Sequence, residues 1–190
     1  TLRKSKLVPK DISESLGKLP PAALELEEAI LGAIILQGPA LEKVSGFLKP
    51  EHFYSEQHKE VYNAIFALHN EGSPVDMRTV VNMLRKTGKI EVIGGAAYIA
   101  ELTSKVSSAA NVEYHARVVF EMSIKRSLIQ LANDIHSKIY EDTTDVFEAL
   151  EKTVADWNYL KLYSTPENQQ AKIKEQWHTT LILEEPPEDV

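Results

Sequence analysis

Apolar residues recur at helical spacing in successive segments of the chain, and glycine, proline or short polar stretches separate the segments. The first segment opens at Pro20-Pro21, which suits a first helical turn because the missing proline N–H would have no partner there. It closes at Gly38-Pro39. The spacing predicts a helix between these two breaks. Its apolar face consists of Leu24, Leu31, Ile34 and Ile35.

A short helix over residues 40–48 and three further helices are predicted next, each with a boundary residue of the expected type. Ser55 and Asp76 precede two of them and are expected N-caps. Gly88 stands where a C-terminal glycine belongs, and Gly94-Gly95 forms a loop before the next helix. The apolar positions of these three helices are Val61, Ile65 and Leu68, then Val80, Val81 and Leu84, then Ala97, Tyr98 and Leu102.

The longest periodic segment covers about residues 110–140 and is expected to be capped by Ser107 or Ser108. A tight polar break at 142–145 separates it from a last helix over about 146–162. Two helices joined by so short a loop lie antiparallel, so the pattern predicts a helical hairpin. The fold is therefore predicted to be all-α, with a small helical globule followed by a C-terminal antiparallel hairpin.

This hairpin has more apolar side chains than two helices can cover between themselves. They pack either on the preceding helices or on another chain, and the pattern alone leaves both alternatives open. If the hairpin projects, it forms a surface for self-association or for a partner. The residues predicted to form this surface are Val118, Met122, Ile129, Ile135, Val154 and Trp157.

These patterns divide the chain into an N-terminal arm at 1–19, one domain at 20–163, and a linker or tail at 164–190. Within the domain, residues 20–106 are the predicted globule and 107–163 the predicted hairpin. The tail contains a strand-like stretch at 179–183 and ends in an acidic, proline-containing sequence.

Composition narrows the possible functions. The formal net charge is −7, which argues against a stand-alone DNA-binding protein, because such domains usually have a basic patch. Cysteine is absent, which excludes thiol catalysis and zinc–thiolate sites and fits a cytoplasmic protein.

A second function stays open: residues 76–95 resemble a helix and wing, with Arg78, Arg85, Lys86 and Lys89 adding local positive charge. A winged-helix DNA-binding regulator would show a similar pattern.

The motifs typical of catalysis or of cofactor binding are missing. The sequence has no phosphate-binding loop, no Gly-x-Gly-x-x-Gly and no His-Glu-x-x-His. Its single Glu-x-x-His pair, Glu175 and His178, falls in the tail, where a metal site is not expected. His52 and His58 flank Phe53-Tyr54 and are expected to have surface or half-buried structural roles. We therefore predict no catalytic residue, cofactor or metal in this chain.

Five strings resemble the N-terminal domain of the DnaB-type bacterial replicative helicases, and they occur in that family's order. They cover residues 20 to about 160. The strings are PPAALELEEAILGA from Pro20, LKPEHFY from Leu48 with His58 after it, GSPVD from Gly72 with Thr79-Val80, GGAAYI from Gly94 with Leu102, and SAANV from Ser108 with Tyr114.

The resemblance implies a non-catalytic assembly domain. In that family, hairpins pair two subunits and three pairs build the N-terminal collar of a hexameric ring, which receives primase and influences loader proteins. ATP hydrolysis, with its Mg²⁺, and DNA translocation belong to a separate C-terminal RecA-like domain, expected outside these 190 residues. The sequence departs from the family after about residue 163, so a parent protein of phage or mobile-element type remains an alternative.

Overall fold

The structure, a computed structural model, describes residues 19–141 and 145–163. The predicted arm therefore falls almost wholly outside the described residues, as do the tail and the strand-like stretch at 179–183. Within the described ranges the chain forms helices and turns, and these ranges contain no strand, which confirms the predicted all-α class. The α-helices are α1 Leu24–Leu36, α2 Glu56–Asn70, α3 Met77–Lys86, α4 Ala96–Ser104, α5 Val112–Ile139 and α6 Val146–Tyr163.

Helix α1 is the centre of the globule. It packs against α2, α4 and α5, and its second half is buried on nearly every side. Gly32 allows the closest of these approaches, because a Cβ atom there would clash with the carbonyl group of Leu102 on α4 and lie 2.9 Å from Val106 Cγ2. Burial on α1 therefore extends beyond the single predicted face, because Ile30 and Ala33 are buried as well as Leu31.

Two of the predicted boundaries are confirmed and three are wrong. Pro20 and Pro21 are not in the first turn of α1, which begins at Leu24. The Asp76 carboxylate accepts hydrogen bonds from the N–H groups of Arg78 and Thr79 and caps α3, and Gly88 follows α3 with a φ of +71°. Ser55 makes no capping hydrogen bond with its side chain. Helix α5 begins at Val112, after Asn111, rather than directly after Ser107 or Ser108.

The segment that suggested a wing is a series of turns. Residues 90–94 form turns, Ile93 is buried in the core, and Gly94 and Gly95 both have positive φ before α4 begins. Two of the nearby cations are also engaged: Lys89 Nζ lies 2.7 Å from Glu60 Oε1 and Lys86 Nζ lies 3.9 Å from Glu71 Oε1. The helix-and-wing interpretation is therefore wrong for the described residues.

Helices α5 and α6 form the predicted hairpin. The α5 members of the apolar core all lie in its first half, at Val112, Ala116 and Val119, where α5 packs on α1. Further along, α5 packs against α6, whose Tyr159 and Leu160 line one cavity with Ser123 and Ser127 of α5. The C-terminal end of α6 thus returns to the middle of α5, which makes the pair antiparallel.

Among the described helices, none is both long and apolar enough to span a bilayer.

Candidate interaction surface

An exposed apolar stripe runs along α6. Val146, Leu150, Val154 and Trp157 follow each other at intervals of four, four and three residues, so they share one side of the helix. Their side chains are 74%, 59%, 50% and 54% exposed, respectively. Phe147 flanks the first turn of the stripe and is 78% exposed. We call these five residues the α6 stripe.

The neighbouring positions of α6 show where its covered side ends. Ala149, Thr153 and Leu160 are half-buried and lie directly beside the stripe on the helix surface. Asp145 begins the helix, with its carboxylate 2.8 Å from the N–H nitrogen of Phe147. Helix α6 is therefore packed against α5 and capped at its start, and the stripe is the exposed surface that borders the half-buried positions.

The hairpin is joined to the globule by Arg126 of α5, at the point where α5 leaves the core. Its guanidinium donates hydrogen bonds to the carbonyl oxygens of Pro21 at 2.8 Å and His52 at 2.6 Å. The same group lies over the Tyr54 ring, 5.5 Å from its centroid. Burial lowers the pKa of the Arg126 guanidinium below its ordinary value, and Glu27 and Tyr54 act in the opposite direction.

Next to the contacts of Arg126 lies a buried hydrogen-bond network centred on Glu27 of α1. Its carboxylate accepts from the backbone N–H groups of Tyr54 at 2.7 Å and Ser55 at 3.3 Å, and from His58 Nδ1 at 2.6 Å. With its hydrogen on Nδ1, the His58 ring accepts at Nε2 from the Tyr98 hydroxyl, 2.7 Å away. Glu27 thus fixes the backbone that leads into α2, through two N–H groups ahead of the helix and the His58 side chain in its first turn.

The two histidines beside Phe53-Tyr54 are both buried, not on the surface or half-buried as expected. His58 belongs to the Glu27 network, and His52 Nδ1 accepts from the Lys49 N–H at 2.9 Å. Burial lowers the pKa of His52 to about 4, with the positive charges of Lys49 and Arg126 acting in the same direction and Glu51 opposing them. The His52 ring therefore fixes the backbone at Lys49, whereas the His58 ring links the Glu27 carboxylate to the Tyr98 hydroxyl.

Comparison with known proteins decides the family. A family profile described as the DnaB-like helicase N terminal domain matches residues 19–121, more than half of the chain. The chain belongs to this family. The replicative DNA helicase DnaB of Rhodothermus marinus is 38% identical over 145 residues, which make up 76% of this chain and 15% of that protein. The replicative DNA helicase DnaC of Bacillus subtilis is 40% identical over 142 residues, 73% of this chain and 31% of that protein.

The fold of the DnaB-like domain agrees with solved structures. The N-terminal domain of DnaB helicase from Mycobacterium tuberculosis superposes with a TM-score of 0.69 at 34% identity, covering 73% of this chain and 97% of that one. A structure described as a DnaB-like replicative helicase and its interactions with primase gives a TM-score of 0.61 at 21% identity, which shows the fold alone. It covers 88% of this chain and 36% of that one. The chain spans less than a third of the two curated relatives above.

Within this DnaB-like domain, the six residues predicted for the interaction surface do not form one face. Val118, Met122 and Ile129 share one side of α5 and are half-buried. Ile135, also half-buried, is rotated by about 120° from Ile129 in an ideal helix. Val154 and Trp157 belong to the exposed α6 stripe. That these residues form the self-association surface stays a prediction.

The α6 stripe extends beyond the two residues of α6 named from the sequence. Val146 and Leu150 continue it at the same helical spacing, and this spacing is visible in the sequence. The spacing does not predict Phe147, because this residue stands one position after Val146 and outside the repeat of three or four residues. The stripe is therefore the better-defined candidate surface of this domain.

Proposed function

We propose that this domain assembles the subunits of a replicative helicase into a ring through the α6 stripe and has no catalytic activity of its own. The observation that carries the proposal is the row of large apolar side chains left half to three-quarters exposed along one side of α6. A monomeric protein rarely leaves a continuous apolar patch of this kind in water. A second copy of the same hairpin offers a surface of the same length and character.

The size of the stripe suits an interface. Trp157 leaves roughly 100 Å² of its side chain in water, half of the roughly 200 Å² that a tryptophan buries when fully covered. Covering that area contributes about 2.5 kcal/mol at about 25 cal/mol per Å². The other stripe residues add smaller amounts each. Their sum offsets part of the translational and rotational entropy that association costs.

The experiment is sedimentation velocity on the 190-residue chain and two variants. Leu150→Glu combined with Trp157→Glu places charges in the middle and at the end of the stripe. An unpaired charge in a buried interface costs several kcal/mol, so this variant is expected to sediment as a monomer at concentrations where the unmodified chain self-associates. Tyr114→Glu is the matched control, because Tyr114 is an exposed aromatic residue at the other end of the hairpin. Association that survives in the double variant would place the interface elsewhere.

The proposal extends to partners and cofactors through the family. One solved relative is described by its interactions with primase, and the resemblance implies docking of primase or of a loader protein on the assembled collar. Titration of the cognate primase into the domain, followed by calorimetry, tests this step. ATP and Mg²⁺ would be bound elsewhere in the full-length helicase. Hydrolysis of ATP by the pure 190-residue chain, lost on substitution of one of its residues, would contradict the non-catalytic assignment.

A further inference from the structure

The α5 helix leaves the apolar core of the globule about midway along its length. The core residues of α5 all precede Phe120, whereas the helix continues to Ile139. From Arg126 to the end of the helix is thirteen residues, or about 20 Å at about 1.5 Å per residue. Helix α5 continues unbroken through this point, so a change in the angle between the hairpin and the globule is a bend of α5 near Arg126. A rotation of about 10° there moves the hairpin tip by about 3 Å, a displacement comparable to half a helical turn.

An open pocket of about 200 Å³ lies where the hairpin meets the globule, between Glu51 and His52 of the globule, Ser127 of α5, and Tyr159 and Leu160 of α6. Close packing is what resists movement between elements. The pocket leaves part of this boundary unpacked, so the polar contacts that cross it contribute to holding the angle between hairpin and globule.

Arg126 supplies these contacts. Its planar guanidinium bridges two carbonyl oxygens from separate parts of the globule, Pro21 ahead of α1 and His52 ahead of α2. Tyr54, which lies under the guanidinium, has its own N–H fixed by the Glu27 carboxylate. The His52 acceptor lies two residues before this fixed N–H, so the buried network limits how far that acceptor can move with the hairpin.

We propose that Arg126 is a latch that fixes the angle between the hairpin and the globule, and that releasing it lets the hairpin pivot. A planar fork with several N–H donors can bridge two carbonyl groups, whereas the lysine ammonium is a single point on a flexible stem. The acceptors are neutral carbonyl groups rather than carboxylates. The latch should therefore hold equally well at low and at high salt. This angle lies within one chain, and the latch does not depend on which partner the hairpin binds.

Single-molecule energy transfer at picomolar concentration tests the latch, because self-association is negligible there. The chain has no cysteine, so Asn82→Cys on α3 and Ser137→Cys on α5, both exposed, create the only two labelling sites. The parent protein should give one narrow transfer population, unchanged between about 0.1 M and 1 M NaCl. Arg126→Ala should broaden or split that population while circular dichroism shows the same helix content. Lys125→Ala is the control, because Lys125 is exposed and pairs only locally with Glu121 in the described structure.

Three results would each overturn the proposal. The first is a narrow population at the parental efficiency in Arg126→Ala. If Arg126→Ala does not fold, Arg126→Lys decides the question, because it keeps the charge and the apolar stem but not the fork. Broadening in Arg126→Lys supports the two-carbonyl bridge. A parental distribution in Arg126→Lys, or a distribution that broadens with salt in the parent, contradicts it.

Discussion

The buried Glu27 network makes a sharp prediction about stability. Glu27 is 1% exposed, and its two carboxylate oxygens accept from three donors. Replacing it by glutamine keeps the shape but turns one oxygen into an amide nitrogen, which is itself a donor. At least one of the three donors then loses its acceptor. A buried donor left without a partner costs about 1–3 kcal/mol.

The expected loss for Glu27→Gln is therefore about 1–3 kcal/mol in the free energy of unfolding. For a chain of this length such a loss lowers the Tm by roughly 2–12 °C. Glu27→Ala removes all three acceptor contacts and leaves a cavity, so a loss of about 3–5 kcal/mol is expected. Since domains are stable by only about 5–15 kcal/mol, the alanine variant should lose a substantial part of its stability.

Urea denaturation followed by circular dichroism at 222 nm measures both losses. Glu25→Gln is the matched control, because Glu25 lies two residues earlier on the same helix and is exposed. It should remain within about 0.5 kcal/mol of the parent. If Glu27→Gln proves as stable as Glu25→Gln, the carboxylate does not hold the start of α2, and the reasoning from the network fails.

Two further predictions follow from the core. Gly32→Ala should destabilise the domain by about 1–3 kcal/mol. The clash of the new methyl group with α4 outweighs the roughly 1 kcal/mol that alanine gains over glycine in a helix. A higher Tm in this variant would show that α1 and α4 do not approach so closely. His52 has a folded pKa of about 4 against an ordinary 6.5, so the folded state binds fewer protons. Stability should be full above pH 6.5 and fall between pH 6.5 and pH 4, by on the order of 3 kcal/mol from this residue. His52→Asn keeps an acceptor for the Lys49 N–H, and urea titrations at stepped pH should show a shallower fall in its free energy of unfolding. The exposed control His69→Asn should show the same fall as the parent. Equal slopes in all three proteins would contradict the role of His52.

The hydrophobic pattern predicted the helices well because helix formation depends on near neighbours. Asp76 caps α3 through bonds to residues two and three positions away, and the short break at 142–145 permits only an antiparallel pair. The Glu27 network was not predictable in this way. Glu27 and His58 are 31 positions apart, and an acidic residue near a helix start resembles an ordinary dipole interaction. Arg126 likewise gives no local signal, because its acceptors Pro21 and His52 lie 105 and 74 positions away in the sequence.

The interaction surface was only partly predictable, for a related reason. Periodicity shows that a helix has an apolar side, but not whether the same chain covers it. Met122 and Trp157 both stand at apolar positions of a helical repeat, yet Met122 is partly buried whereas Trp157 is 54% exposed. The difference depends on how α5 and α6 pack against each other and against the globule, and this packing is set by tertiary contacts.

The central claim is that the α6 stripe becomes covered when this domain assembles. Trp157 reports on it directly once the second tryptophan is removed by Trp177→Phe. Acrylamide quenching of Trp157 fluorescence should be measured across a dilution series together with the sedimentation coefficient. The account predicts that Trp157 is shielded while the chain is associated and becomes readily quenched as it dissociates to monomer. A quenching constant that stays the same while the sedimentation coefficient falls would contradict the claim.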